Sequence, residues 1–346
     1  MTSYDLGDEL LGMAHADDAG VPLAGRSAEL DALRTVGRRE PSLGRIYEGH
    51  LNAAQLVARC GTPAQRASAA RDIDARHVFG VWNTQDVDGV KLEADAGAFT
   101  LRGAKTWASG AGSITRAIVT AALPDGNSQM CLIQLDRVRV YIDRSQWRPI
   151  GMEASESFRV DFTGVKLQQD DLIGTPGEYE QQPWFFGGAL RFLAVQAGIV
   201  ERLQAEAARF VVAQERQTDT LQQVRAAEMR IAAHTCVQWL RAGAAAWAAF
   251  DAEQSEANGV AVVDTVDMAR SVVERAALDV IEAAVRSVGA RGLLEPLPIA
   301  GIVRDLQMYL RQPAPDAALI RVGKTAFREA TAARSAAIAS STGTIS

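Results

Sequence analysis

The sequence predicts an α+β fold, in which an N-terminal helical segment precedes a central antiparallel β-domain and a C-terminal four-helix bundle. Apolar residues recur every three to four positions up to about residue 75, at every second position across 77–174, and every three to four positions again beyond 175. The expected domains are therefore residues 1–76, 77–174 and 175–338. We expect residues 339–346 to fray, because this tail is rich in Ser, Ala and Thr.

The N-terminal segment carries helical patterns over Ala28–Val36 and Ile46–Cys60. The run Gly61-Thr62-Pro63 ends the second of these patterns. It also supplies a capping threonine and a first-turn proline, which predict the start of a third helix.

The middle of the chain alternates short apolar stretches with turn residues. The predicted strands are Val78–Trp82, Phe99–Leu101, Ala117–Thr120, Met130–Ile133, Val138–Ile142 and Val160–Phe162. Between them, Asp95–Gly97 and Leu123–Asn127 have the composition of turns. This pattern is typical of a β-domain.

The C-terminal half predicts long helices near 186–215, 219–250, 260–288 and 313–338, with a break at Glu295–Pro298. In the third helix, small and branched apolar residues keep to one face, as in a bundle helix. They are Val262, Val266, Ala269, Val273, Ala276, Val280, Ala284 and Val288.

Composition excludes several classes of protein. The 346 residues, 48% of them hydrophobic, can form a sizeable core. A net charge of −6 without a Lys/Arg run argues against nucleic-acid binding. No apolar run reaches the roughly 18 residues that a membrane helix needs, and the acidic N-terminus lacks a signal-peptide pattern, so we expect a cytoplasmic protein. Three widely spaced cysteines, Cys60, Cys131 and Cys236, are expected to be packing thiols.

Common catalytic motifs are missing from the sequence. The four histidines, His15, His50, His77 and His234, have no metal-ligand spacing, and no metal site is expected. There is no G-x-G-x-x-G after a strand and no G-x-S-x-G. The run Gly323-Lys324-Thr325 lacks the earlier glycine of a phosphate-binding loop.

Five segments do carry a pattern. They read FGVWNTQ (Phe79–Gln85), GAKTWASG (Gly103–Gly110), IGMEASES (Ile150–Ser157), ER (Glu215–Arg216) and SVGARG (Ser287–Gly292), with RD following at Arg304–Asp305. In this order they resemble motifs of the acyl-CoA dehydrogenase superfamily, across roughly residues 40 to 330. The resemblance implies the same three-part fold, FAD as cofactor, and a homodimer or homotetramer.

The resemblance also assigns cofactor contacts. A flavin needs an aromatic wall, hydroxyl or amide donors near its polar edge, and a cation on its pyrophosphate. Arg216 would reach the pyrophosphate of a neighbouring subunit's FAD. The residues implied for the cofactor are Trp82, Thr84, Trp107, Ser109, Arg216, Gly289 and Arg291.

The activity implied is CH–CH oxidation of an acyl-CoA or acyl-carrier thioester, with an electron acceptor as second partner. Such enzymes remove a proton with a positioned glutamate. In its usual place, nine residues beyond Arg304, this chain has Pro313, and the family's other position is Leu190. The nearest carboxylate is Asp316, which is a candidate base or a cap of the helix that follows.

Other features resemble the flavin-dependent monooxygenase branch of the superfamily, which uses oxygen and needs no such glutamate. The turn reads ASGA at Ala108–Ala111, and SLGRIYEGH at Ser42–His50 is similar to that branch's helix. His50 would then hydrogen-bond the oxygenated cofactor or polarise the substrate. A second histidine of the branch, expected near Arg311, is absent.

A third interpretation is a noncatalytic relative that serves as an interaction protein. The missing glutamate and an N-terminal part shorter than the family's favour it. Retention of Thr84, Trp107, Ser109 and Arg216 opposes it.

Overall fold

The computed structural model describes residues 27–87, 89–95, 97–311 and 314–342. The N-terminal helices are α1 (Ser27–Arg39), α2 (Pro41–Cys60) and α3 (Pro63–Asp74). The strands are β1 (Phe79–Trp82), β2 (Lys91–Asp95), β3 (Ala98–Arg102), β4 (Ala104–Ala108), β5 (Arg116–Ala122), β6 (Ser128–Gln134), β7 (Tyr141–Asp143), β8 (Phe158–Asp161), β9 (Lys166–Leu167) and β10 (Leu172–Ile173). The C-terminal helices are α4 (Trp184–Gly187), α5 (Leu190–Ala213), α6 (Thr220–Ala252), α7 (Glu256–Gly292), α8 (Ile299–Leu310) and α9 (Pro315–Thr342).

The starts of α2 and α3 are fixed by their caps. The Glu40 side chain accepts the Ser42 N–H at 3.0 Å. Thr62 and Gln65 form a reciprocal capping box, with Pro63 in the first turn. The predicted start of a third helix at this point is confirmed.

The strands form two sheets. The larger has the order β10-β6-β5-β2-β3-β9, with β1 added beside β5, and the smaller has the order β4-β8-β7. Most pairings are antiparallel, as expected, but both β1 and β2 run parallel to β5. Strand β1 is buried along its whole length, as is typical of strands covered on both faces.

The bundle follows the predicted apolar stripe closely. All eight residues predicted on one face of α7 are buried. The expected break at Glu295–Pro298 separates α7 from α8, which was not among the predicted helices although Ile299, Ile302 and Leu306 bury one face of it. Helix α9 reaches Thr342 and so includes 339–342 of the tail expected to fray, whereas 343–346 lie outside the described residues.

One hydrophobic cluster runs from α1 and α2 through the β-domain into the bundle. The helices together with mostly antiparallel sheets confirm the predicted α+β class, and this core packs them together. Among the described residues, no helix is both long and apolar enough to cross a bilayer.

Candidate functional site

Trp107 stands out from strand β4 because of a β-bulge. The register between β4 and β8 shifts between Lys105 and Ala108, and Trp107 has a φ of 55°. Bulges re-aim side chains, and here the indole is left 41% exposed. Its ring meets the Trp147 ring edge-on at 5.7 Å, while the Trp147 indole N–H donates to the Glu153 carbonyl at 2.8 Å. The exposed ring is therefore held in a defined position.

Thr84 lies beside the bulge, whereas Trp82 supports the turn from inside. The Thr106 N–H donates to the Thr84 carbonyl at 3.2 Å, which places Thr84 next to the bulge with its side chain exposed. Trp82 is only 2% exposed. Its indole N–H donates to the Ser109 carbonyl at 3.0 Å, and its ring packs against Phe162. Trp82 thus supports the turn and presents no open face to a ligand, which differs from the contact implied by the resemblance.

The turn at 109–111 is docked onto the segment 152–157. The Gly110 N–H donates to the Ser155 carbonyl at 2.7 Å, and the Ala111 N–H donates to the Glu156 carbonyl at 3.3 Å. Met152 and Glu156, like Trp107, have positive φ. Such strain in non-glycine residues often clusters at functional sites. The motifs around Gly103 and Ile150 therefore form one structural unit.

Lys105 fixes the same strand from inside. Its buried ammonium donates to the Asn83 carbonyl and to the Thr120 hydroxyl, each at 2.9 Å. Burial lowers the pKa of Lys105 to about 7. The lysine of the GAKTWASG motif consequently ties β4 to β5 and to the end of β1, and contributes no group to the exposed face.

Helix α2 crosses β1 and brings His50 to Phe79. A Cβ placed on Gly49 would lie 3.8 Å from the Gly80 Cα, so the two backbones approach closely. The Phe79 N–H donates to His50 Nδ1 at 3.1 Å. Nδ1 is therefore an acceptor, and the ring proton resides on Nε2. His50 can donate a hydrogen bond from Nε2 but cannot accept a proton there.

We expect acid to destabilise the protein through His50. Burial lowers the pKa of His50 to about 4. The unfolded chain, with an ordinary pKa of about 6.5, then binds more protons between these values. Stability should therefore fall as pH drops from about 6.5 to 4, by up to about 1.4 kcal/mol per pH unit from this group.

The measurement is urea unfolding as a function of pH. His50→Asn, whose amide oxygen can still accept the Phe79 N–H, should flatten the slope over this range. The exposed His234 provides the control, because His234→Asn should leave the slope unchanged. Equal slopes in all three proteins would mean that His50 titrates normally.

A buried ion cluster, defined as Arg45, Glu48 and Arg191, joins α2 to α5. Glu48 accepts from Arg45 at 2.7 Å and from Arg191 at 3.4 Å, and its side chain is 2% exposed. Arg191 also donates to the side chains of Asn52 at 2.7 Å and Gln55 at 2.8 Å. The helix that carries His50 is thus held to the bundle by charged hydrogen bonds.

The GM and RD motifs meet where the β-domain touches α8. The Met152 N–H donates to the Asp305 carboxylate at 2.6 Å. A side chain on Gly151 would overlap the Arg304 carbonyl, so only glycine fits this approach. Burial raises the pKa of Asp305, although the bond from Met152 opposes this. These motif residues therefore position the segment 152–157 that supports the turn.

Arg216, Gly289 and Arg291 lie at one end of the bundle, away from the turn. The Gln222 side chain donates to the Ser287 carbonyl at 3.2 Å, so the start of α6 lies beside the end of α7. Arg216 precedes α6 and pairs with Asp219 at 3.3 Å, while Gly289 kinks α7 with a φ of 59°. Arg291 is exposed just beyond the kink. No described contact joins these residues to Trp107.

Neither of the two positions at which the family has its catalytic base carries a carboxylate in this chain. Leu190 is 3% exposed at the start of α5, and Pro313 lies outside the described residues. Asp316 lies exposed in the first turn of α9. It lines a groove of about 1070 Å³ between α6, α7 and α9, and this groove shares no residue with the turn. The base role of Asp316 stays a prediction.

The groups around the turn fit an isoalloxazine ring. They comprise the exposed Trp107 indole, the exposed Thr84 side chain and the buried Ser109 hydroxyl. An electron-poor ring with nitrogen and carbonyl acceptors needs such a wall and such donors. Among the described residues, no cluster of His, Cys, Asp and Glu is suited to a metal ion.

No protein-family model matches the chain. The dibenzothiophene monooxygenase of Mycolicibacterium goodii is 23% identical over 302 residues, which cover 76% of this chain and 71% of that protein.

Two solved structures relate the fold to both branches of the superfamily. FMN-bound TdsC from Paenibacillus sp. A11-2 superposes with a TM-score of 0.77 at 19% identity, covering 92% of this chain and 88% of that one. Butyryl-CoA dehydrogenase from Megasphaera elsdenii gives a TM-score of 0.77 at 16% identity, covering 94% and 89%. The chain therefore has the acyl-CoA dehydrogenase fold, which it shares with flavoproteins of both the dehydrogenase and the monooxygenase branch.

Proposed function

We propose that the protein is a flavin-dependent monooxygenase. The proposal rests on two features taken together. The turn at Trp107 and Ser109 is held by hydrogen bonds to the segment 152–157, and both positions of the family's base, Leu190 and Pro313, lack a carboxylate. Dehydrogenation of a thioester needs a base to remove a proton. Oxygenation does not need this carboxylate. The match to dibenzothiophene monooxygenases supports the same choice.

In this proposal the residues of the chain position the flavin ring and polarise the reacting group. The Trp107 indole forms one wall for the ring, and Thr84 and Ser109 supply donors at its polar edge. His50, neutral above about pH 5 because its pKa lies near 4, donates from Nε2 to an oxygen atom of the reacting group. When bound, reduced flavin supplies the electrons with which molecular oxygen is activated.

For the substrate, we propose a small aromatic heterocycle. Two similarities support this class: dibenzothiophene is the substrate named for the relatives, and TdsC has been crystallised with indole. A thioester substrate has less support, because neither Leu190 nor Pro313, at the two positions of the family's base, can take a proton. Asp316 faces another groove.

We propose FAD as the flavin, bound across a homo-oligomer. Arg216 and the Gly289 kink lie together at one end of the bundle, where a cation and a close backbone approach suit a pyrophosphate. Because they lie apart from the turn within one chain, they would serve the cofactor of a second copy. FMN, which TdsC binds, would not need them. Titration with each flavin distinguishes the two, since FAD should bind more tightly.

The decisive experiment begins with flavin titration of the purified protein, followed by absorbance and fluorescence. We expect saturable binding of oxidised flavin. Chemically reduced flavin, labelled oxygen and dibenzothiophene or indole should then give a product that contains one labelled oxygen atom. Sedimentation velocity in the same buffer measures the oligomeric state.

Each other interpretation has its own outcome. Anaerobic bleaching of the flavin by butyryl-CoA would indicate a dehydrogenase and overturn the proposal. A protein that binds neither flavin would be a noncatalytic relative. Flavin binding without bleaching and with incorporation of labelled oxygen is the result that we expect.

A further inference from the structure

Three serines form a buried chain of hydroxyl groups beneath the turn. The Ser155 and Ser157 hydroxyls lie 2.9 Å apart, and the Ser157 and Ser109 hydroxyls lie 2.9 Å apart. Ser155 is 2% exposed, and Ser157 and Ser109 are each 8% exposed. The two distal serines belong to the IGMEASES motif, for which the proposed function alone provides no role.

The number of hydrogens gives the chain a direction. Three hydroxyls carry three hydrogens, and the two bonds between them use two. If the unused hydrogen belonged to Ser155, it would be buried without an acceptor among the described residues, which is costly. Ser155 therefore donates to Ser157. Ser157 can then donate to Ser109, which leaves the free hydrogen on Ser109, or accept a second bond from Ser109, which leaves the free hydrogen on Ser157.

We propose that Ser155 and Ser157 are positioning residues that make the Ser109 hydroxyl a donor toward the flavin. This inference rests on the proposed function. In the proposed direction Ser109 accepts from Ser157, so its own O–H is free to donate to a further group. Hydrogen bonds in such a chain polarise one another, which strengthens the terminal donor.

Backbone hydrogen bonds, and not the serine hydroxyls, hold the turn in place. Gly110 and Ala111 donate to backbone carbonyls of Ser155 and Glu156, and these bonds do not depend on any serine hydroxyl. Removal of the Ser157 hydroxyl should therefore leave the turn in place while freeing Ser109 to reorient. Ser113 provides a matched control, because its hydroxyl donates to Glu156 at 3.0 Å on the same turn but outside the chain.

The test compares flavin binding and visible absorption of the wild type with Ser157→Ala, Ser157→Thr and Ser113→Ala. We expect Ser157→Ala to weaken flavin binding about two- to tenfold, as for one hydrogen bond, and to shift the visible absorption band of the bound flavin. Ser157→Thr, which keeps the hydroxyl, should restore both values. Ser113→Ala should match the wild type, and unchanged thermal unfolding would show that each variant folds.

The outcomes separate this inference from the proposed function. A wild type that binds no flavin overturns the proposed function, and with it any role of the chain toward flavin. A wild type that binds flavin, together with a Ser157→Ala variant of unchanged affinity and spectrum, overturns only the hydroxyl chain. Equal losses in Ser157→Ala and Ser113→Ala would also overturn it, because they would indicate general support of the turn.

Discussion

Glu48→Leu is expected to lower the free energy of unfolding by about 3–5 kcal/mol, the usual cost of removing one partner from a buried ion pair. The leucine would leave two guanidinium groups close together and without a carboxylate. Their side chains are only 15% exposed at Arg45 and 11% exposed at Arg191, so water cannot compensate fully. Urea unfolding followed by circular dichroism measures the difference.

A surface pair provides the control for this prediction. Glu282 and Arg286 pair on the exposed face of α7, where both side chains are about two-thirds exposed. Glu282→Leu should change the unfolding free energy by less than about 1 kcal/mol. Equal effects of the two substitutions would mean that the ion cluster does not hold α2. If it does, replacing Arg45 and Arg191 by Met in the Glu48→Leu background should restore much of the stability.

The same substitution connects stability with the site. Helix α2 carries Glu48 on the side of the bundle and His50 on the side of β1. Loosening the cluster should therefore also weaken the hydrogen bond from Phe79 to His50. The ion cluster and the contact between His50 and β1 thus both depend on the position of α2.

The fold was predictable where local patterns determine it. The stripe from Val262 to Val288, the cap at Thr62 and the break at Pro296 depend on residues close in sequence, and all three are observed. Helix α8 was missed because it is short. Its twelve residues, Ile299–Leu310, contain few periods of the helical pattern. The parallel pairings of β5 were missed because strand order depends on contacts distant in sequence.

The site was predictable only in part, for the same reason. Trp107 is exposed because of a β-bulge. The residues of its motif do not predict that bulge; only the resemblance suggests that the indole is accessible. Burial of Trp82 follows from the cover on both faces of β1, which residue type does not reveal. The link from Ser109 to Ser157 spans 48 residues and that from Glu48 to Arg191 spans 143. No local spacing signals such pairs.

Trp107→Ala is expected to weaken flavin binding about 5- to 150-fold, corresponding to the roughly 1–3 kcal/mol that stacking of a planar base on an aromatic side chain contributes. The indole is 41% exposed, so its removal takes little from the core. Thermal unfolding should therefore change little, while flavin affinity falls. Titration by flavin fluorescence measures the affinity, and Trp107→Phe should keep most of it.

Tyr141 provides a matched aromatic control for this prediction. It lies on β7 of the same small sheet and is 67% exposed, but it is not part of the turn. Tyr141→Ala should leave flavin affinity unchanged. If Trp107→Ala binds flavin as tightly as the wild type does, the flavin ring must bind elsewhere in the fold. Loss confined to Trp107→Ala would instead assign the wall to the one residue of β4 that the bulge turns outward, because a more exposed aromatic on β7, two strands away in the same sheet, would then be without effect.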